Sequence, residues 1–240
     1  EPLAYSSPAT VRALARLILG RDLICLEEEG LIRRTRGGAI ALKQVTGAEG
    51  LYSHRAMENI GGKMKIARRC LPLLGYDSAL FLDSGSTVMC LARLLPDSYR
   101  PILTSGVNIA LELIKHPGFS VTLLGGQLNS NTLSVSGQIA EGNAEIFNIE
   151  TAVMATSGFS LEEGFSSGTY TENELKRSII RKAKRVIMLM DAHKLDRSMP
   201  HTFAKLEDID VLVVDIPPSP ALREACEQAQ VELLLADEKD

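Results

Sequence analysis

From residue 78 onward, short apolar runs of strand character alternate with amphipathic helical stretches. The apolar runs are residues 79–82, 101–104, 121–124, 151–155, 185–190, 211–214 and 231–235. Most are apolar at consecutive rather than alternate positions, which suits strands covered on both faces. Between them, residues 88–95, 109–115 and 171–183 have helical character. This alternation predicts an α/β fold with a mainly parallel, doubly covered sheet. Residues 55–74 also read as helical, with Ala56, Ile60, Met64, Ala67, Leu71 and Leu74 near one stripe. Residues 41–54 carry no clear periodicity and read as a linker, and the first 40 residues differ again, being rich in Arg and Glu. The expected organisation is therefore a head over 1–40, a linker over 41–54 and an α/β domain over 55–240.

Composition narrows the function classes. The chain has 240 residues, 45% of them hydrophobic, enough for one sizeable core and a small appendage. The formal net charge of -4 argues against nucleic-acid binding along the whole length, so any DNA contact must be local. Cys25, Cys70, Cys90 and Cys226 are far apart and form no C-x-x-C pair, which predicts reduced cysteines in a cytoplasmic protein rather than a zinc site or a disulfide framework. There is neither a run of about 18 apolar residues nor a signal-peptide pattern at residues 1–5. His54, His116, His193 and His201 are scattered, so no metal set is expected. No G-x-S-x-G, Walker or G-x-G-x-x-G motif is present, and no cofactor is expected.

In open α/β sheets, ligands bind at the carboxyl ends of the strands. That rule gives weight to Asp83, Ser84, Gly85, Ser86 and Thr87, which follow a predicted strand and precede a predicted helix. Glycine allows close backbone approach, the hydroxyls donate, and the free N–H groups of the helix start favour a phosphate. A plain capped turn accounts for the same residues. Residues 104–108, which include Ser105 and Asn108, form a second such loop; Gly125-Gly126 and residues 156–158 form a third and a fourth. Each alone is ordinary turn chemistry. Together, at one edge of one sheet, they predict a pocket for a polyanion or a sugar. Glu172 and Lys176 are four apart on a predicted helix, which also fits a surface ion pair. Asp191 ends the most apolar strand, with Lys194 just beyond, placed to hold a sugar hydroxyl and a phosphate; a capping Asp and a solvated Lys fit equally.

The order of these motifs resembles the DeoR family of bacterial repressors. LIRRTRGG at residues 31–38 is similar to the end of that family's winged helix-turn-helix. Arg55, Asn59, Lys63, Ile66 and Ala67 resemble its R…N…K..IA helix. LDSGST at 82–87, TSGVNIA at 104–110, LGG at 124–126, TENELKR at 171–177, LMDAHK at 189–194 and the stretch 208–215 follow in the family's order. The resemblance implies a sensor fold of the sugar-phosphate isomerase and CoA-transferase type behind a partial winged helix-turn-helix. It implies a phosphorylated sugar or sugar-like effector, with Ser84 to Thr87 cradling the phosphate and Lys63, Ser105, Asn108, Glu172, Asp191 and Lys194 lining the rest. It further implies a homo-oligomer that binds operator DNA through the heads, with Thr10, Arg12, Arg21, Arg33, Arg34 and Arg36 as contacts. The chain departs from the pattern at residues 13–20, ALARLILG, which look inserted, and at Gly106 and Thr151, where Ser and Asp are usual.

The leading expectation is thus a ligand-responsive repressor that is not an enzyme. A sugar-phosphate isomerase of the same fold is the alternative, since Asp83, Glu172 and Asp191 supply candidate carboxylates. A purely structural oligomerisation domain is a third reading. The head-like segment and linker, unnecessary in an isomerase, favour the repressor.

Overall fold

The computed structural model describes residues 32–35, 38–41, 51–75 and 79–237. Thr10, Arg12, Arg21 and Arg36 lie outside these residues. Chain contacts divide the protein into two units, residues 1–46 and 47–240. In the first, strand β1 (Ile32–Thr35), which carries Arg33 and Arg34, pairs antiparallel with β2 (Gly38–Ala41).

The second unit is built on a seven-stranded sheet. Its strands are β3 (Leu80–Leu82), β4 (Arg100–Thr104), β5 (Phe119–Leu123), β8 (Thr151–Ala155), β11 (Arg185–Met190), β13 (Val211–Val214) and β14 (Glu232–Leu235). They lie in the order β14-β13-β11-β8-β3-β4-β5, and every neighbouring pair is parallel. These are the seven apolar runs of the sequence. Alternate residues face opposite sides. Leu80, Leu82, Val153, Ile187, Leu189 and Val213 pack in one cluster, Phe81, Ala152, Met154, Met188 and Leu212 in the other. Helices α2 (Ile60–Cys70), α3 (Ser86–Ala92) and α4 (Val107–Leu113) contribute Ile66, Val88 and Ile109 to the first cluster. Helices α5 (Gln138–Glu145), α6 (Tyr170–Lys182) and α7 (Pro220–Gln228) contribute Ala140, Leu175 and Leu222 to the second. The sheet is therefore covered on both faces, as the consecutive apolar positions require.

Strand order sets the place of the site. From β3 the chain moves outward through β4 to β5, then returns to the other side of β3 with β8 and moves the opposite way through β11 and β13 to β14. The loops after β3 and β8 diverge, leaving a crevice at their carboxyl ends, the usual binding place in an open parallel sheet.

Two features differ from the sequence reading. The helix expected over 55–74 is broken: α1 spans Tyr52–Met57, α2 begins at Ile60, and a 3-10 turn covers Leu71–Leu73. Asn59 causes the break by taking a left-handed conformation (φ 47°, ψ 44°) while its side chain accepts the Gly62 N–H at 3.2 Å. Helix α1 also takes up residues 52–54, which had read as linker. Five short strands had no apolar signature. They form a hairpin of β6 (Gln127–Asn129) with β7 (Ser134–Ser136) and a sheet of β9 (Gly158–Ser160), β10 (Gly164–Ser167) and β12 (His201–Ala204). Among the described residues no helix is long and apolar enough to cross a membrane.

Candidate functional site

The crevice between β3 and β8 is a small cleft of about 20 Å³ that opens to solvent. Arg55, Asp83, Ser84, Gly85, Ser86, Thr87, Ala155, Thr156, Ser157, Glu172, Lys176 and Lys194 line it. They come from helix α1, the ends of β3 and β8, helix α6 and the turn after β11.

Its floor is a buried ion pair. Lys176 Nζ lies 2.5 Å from Asp83 Oδ2 and donates to the Ala155 carbonyl at 2.7 Å. The same Asp83 oxygen accepts the Ala155 N–H at 3.0 Å. Lys176 also sits 4.9 Å from the centroid of the Phe203 ring. Asp83 and Lys176 are 1% and 5% exposed, so neither charge is met by bulk water. Each neutralises the other, and both tie the divergent ends of β3 and β8 to helix α6. Lys176 thus reaches Asp83 across 93 residues, a contact that the i,i+4 spacing of Glu172 and Lys176 did not indicate. Gly85 completes the floor by lacking a side chain: a Cβ there would stand 2.5 Å from the Ala155 Cβ, so only glycine lets the loop rest on β8.

Further polar groups line the cleft beside this pair. Lys194 is 7% exposed, and among the described residues its ammonium makes no hydrogen bond or ion pair. An ammonium on the wall of a cleft is a ready partner for an anion. Ser84, Ser86 and Thr87 are buried at the mouth of helix α3, where hydroxyls and free N–H groups converge. Ser86 Oγ donates to the Arg55 carbonyl at 3.3 Å. The Arg55 guanidinium lies 5.8 Å from the Tyr52 ring centroid. Glu172, also buried, lines the cleft and accepts from Thr169 Oγ1 at 3.4 Å. The cleft thus combines cationic groups, hydroxyl donors and a carboxylate acceptor.

Thr156 has a structural role: its Oγ1 donates to Gly158 O at 2.6 Å and accepts the Ser166 N–H at 3.2 Å. Among the described residues no cluster of three or more histidine, cysteine, aspartate or glutamate side chains is placed to hold a metal ion.

Of the sequence candidates, the structure brings together Asp83, Ser84, Gly85, Ser86, Thr87, Glu172, Lys176 and Lys194. Lys63, Ser105, Asn108, Gly125 and Asp191 do not line the cleft. Lys63 is 1% exposed and donates to the carbonyls of Arg55 and Glu58, stitching α1 to α2. Burial draws its ammonium below the ordinary lysine range; the Asp191 carboxylate opposes this and the Lys194 charge adds to it. Asp191 caps its own turn, accepting the His193 N–H at 3.1 Å. The Ser105 carbonyl accepts the Val135 N–H at 2.8 Å. Gly125 (φ 75°) and Gly126 (φ 101°) turn the chain from β5 into β6, a left-handed geometry suited to glycine. Asn108 lines a neighbouring groove with Tyr52, Met57, Met64 and Met89, which meets the cleft at Ser86. Arg55, Thr156 and Ser157 were not among the site candidates. The strand-end rule had marked 156–158, but nothing local to Arg55 shows that α1 folds back onto the α3 loop.

A family model described as the DeoR C terminal sensor domain matches residues 58–216. The HTH-type transcriptional regulator GlpR of Haloferax volcanii is 33% identical over 232 residues, covering 96% of this chain and 87% of that protein. The HTH-type transcriptional repressor GlcR of Bacillus subtilis is 31% identical over 231 residues, covering 96% and 89%. Among solved structures, ribose 5-phosphate isomerase A from Methanocaldococcus jannaschii aligns with 57% of this chain and 55% of its own, with a TM-score of 0.43 and 13% identity.

Proposed function

This chain belongs to the DeoR family of transcriptional regulators, and from that premise we propose that its cleft receives the phosphate of a sugar phosphate or related metabolite and so controls operator binding. The observation that carries the reading is Lys194, a largely buried lysine whose ammonium has no partner among the described residues and which lines the cleft together with the hydroxyl-rich loop of Ser84 to Thr87. An anion there gains a charge-assisted hydrogen bond, and Glu172 is placed to accept from a sugar hydroxyl. Asp83, already paired with Lys176, is a poor candidate for an isomerase base. Ligand affinity for one arrangement of the sensor over another is what changes affinity for DNA. On this reading residues 1–40 form the DNA-binding head, with Thr10, Arg12, Arg21, Arg33, Arg34 and Arg36 at the operator, 41–54 the linker and 55–240 the sensor. The protein works in the cytoplasm as a homo-oligomer.

The test is a thermal-shift panel of pentose, hexose and triose phosphates beside the same sugars without phosphate, with an isomerase assay on every hit. Stabilisation by at least one phosphorylated member, absent from its dephosphorylated form and without turnover, is the expected result. Turnover would restore the enzyme reading, and a preference for the unphosphorylated sugars would remove the phosphate from the cleft.

A further inference from the structure

The two edges of the seven-stranded sheet are built differently. Strand β14 closes one edge and β5 the other. On β5, Leu124 just past the strand donates its N–H to the Thr104 carbonyl of β4 at 3.1 Å. In a parallel ladder alternate residues turn their amide groups to the same side. Ser120 and Thr122 therefore face β4, and Val121 and Leu123 turn their N–H and C=O groups to the open side. Among the described residues no strand pairs with that side.

An open edge is a template for another strand, and edges meant to stay alone carry charge. Strand β14 follows that rule. Its exposed Glu232 sits 3.6 Å from Arg185, and an acidic stretch begins at Asp237. Strand β5 does not. Residues 117–140, which contain β5, β6 and β7, hold no charged side chain in a chain that is 23% charged. Within that stretch Leu123, Leu128 and Ile139 are 38%, 56% and 68% exposed.

We infer that the open edge of β5 is the interface with a second copy of this chain, the two strands pairing antiparallel about a two-fold axis so that one sheet runs through both subunits. Charge selects the partner. An edge without charge has nothing with which to choose a charged foreign surface, but it is complementary to itself. A two-fold axis sets a strand antiparallel to its own copy, the isologous arrangement. With the axis at Thr122, Val121 meets Leu123 of the partner subunit, and each outward N–H finds an outward C=O. The inference does not depend on what fills the cleft.

The experiment is sedimentation equilibrium of the full chain at micromolar concentration, for the wild type, Leu123→Lys, Ser120→Lys and, as a control at an exposed apolar position on a different turn, Leu161→Lys. Circular dichroism scores folding. The wild type should show twice the chain mass or an even multiple of it. Leu123→Lys should raise the dissociation constant by about ten-fold or more, because each lysine is set against Val121 of the partner subunit in an uncharged seam. Ser120→Lys, exposed on the same strand, should weaken association in the same direction and decides the matter if Leu123→Lys fails to fold. Leu161→Lys should keep the wild-type mass. A monomeric wild type, or folded β5 variants with the wild-type association constant, would overturn the interface while leaving the ligand reading to its own thermal-shift test.

Discussion

Asn59 and Asp215, 156 residues apart, are joined by a hydrogen bond of 2.7 Å from Nδ2 to Oδ2. The other oxygen of Asp215 accepts the Ala192 N–H at 2.8 Å. One carboxylate therefore holds the helix break at Asn59 and the turn that carries Lys194. Gly62 makes room for it, since a Cβ there would stand 1.9 Å from Asp215 Oδ2. Helix α1, the first helix of the sensor, is in turn stitched to α2 by Lys63. The turn that carries Lys194 is thus bonded, through Asp215, to the opening helices.

Asp215→Asn is expected to break one of the two bonds, because an amide accepts only at its oxygen and presents N–H groups to the other donor. Losing a bond to a charged acceptor should cost about 1.5–3 kcal/mol, read by urea unfolding. Hydrogen exchange should also quicken in residues 52–70. An unchanged exchange profile there would show that the bond does not hold α1 and α2.

Asp83→Ala is expected to cost more than a surface pair would, about 3–5 kcal/mol, because it strands Lys176 as a buried charge. Asp83→Leu combined with Lys176→Met should cost less than the sum of the two single changes. A double-mutant cycle by chemical denaturation checks this. Strict additivity would mean that the two groups, 2.5 Å apart, do not act as a unit.

Lys194→Ala is expected to leave the midpoint of unfolding almost unchanged, since the ammonium has no partner to lose among the described residues. Affinity for a phosphorylated ligand found in the thermal-shift panel should fall by an amount equal to about 1.5–3 kcal/mol, the usual worth of a charge-assisted hydrogen bond. Calorimetry of the wild type and the variant separates the two effects. Equal affinities would take Lys194 out of the site.

Burial pushes the Cys70 thiol up to about 12 and the Cys226 thiol up to about 11. At pH 8 their thiolate fractions are then on the order of a thousandth or less, and the thiolate is the reactive form. Both should resist alkylation in the native protein and react only once it unfolds. Mass spectrometry of peptides after a short iodoacetamide pulse, with and without denaturant, reads this directly. Native labelling of Cys70 as fast as in urea would contradict its burial.

The sheet was legible because most of its strands are apolar at consecutive positions and the loops after β3, β4 and β8 turn to small polar residues. The loops at 83–87 and 156–158 were legible as neighbours for the same reason: a parallel sheet puts every strand's carboxyl end on one edge. The sites on that edge that failed to join the cleft, at Ser105 and Gly125, belong to β4 and β5, which lie on the far side of β3 from β8. Strand order comes from which faces pack together, and no local pattern encodes it.

The sequence by itself therefore determined the α/β class, the strand-ending loops and the family. Tertiary structure alone decided the partners. Asp83 finds Lys176 across 93 residues, Lys63 gives its protons to two backbone carbonyls rather than to a ligand, and Lys194 is left without a partner among the described residues. A lysine reads the same in any of these places. Its role follows from the acceptor within reach of its ammonium and from how much water is excluded around it, and both are set by segments far away in the chain.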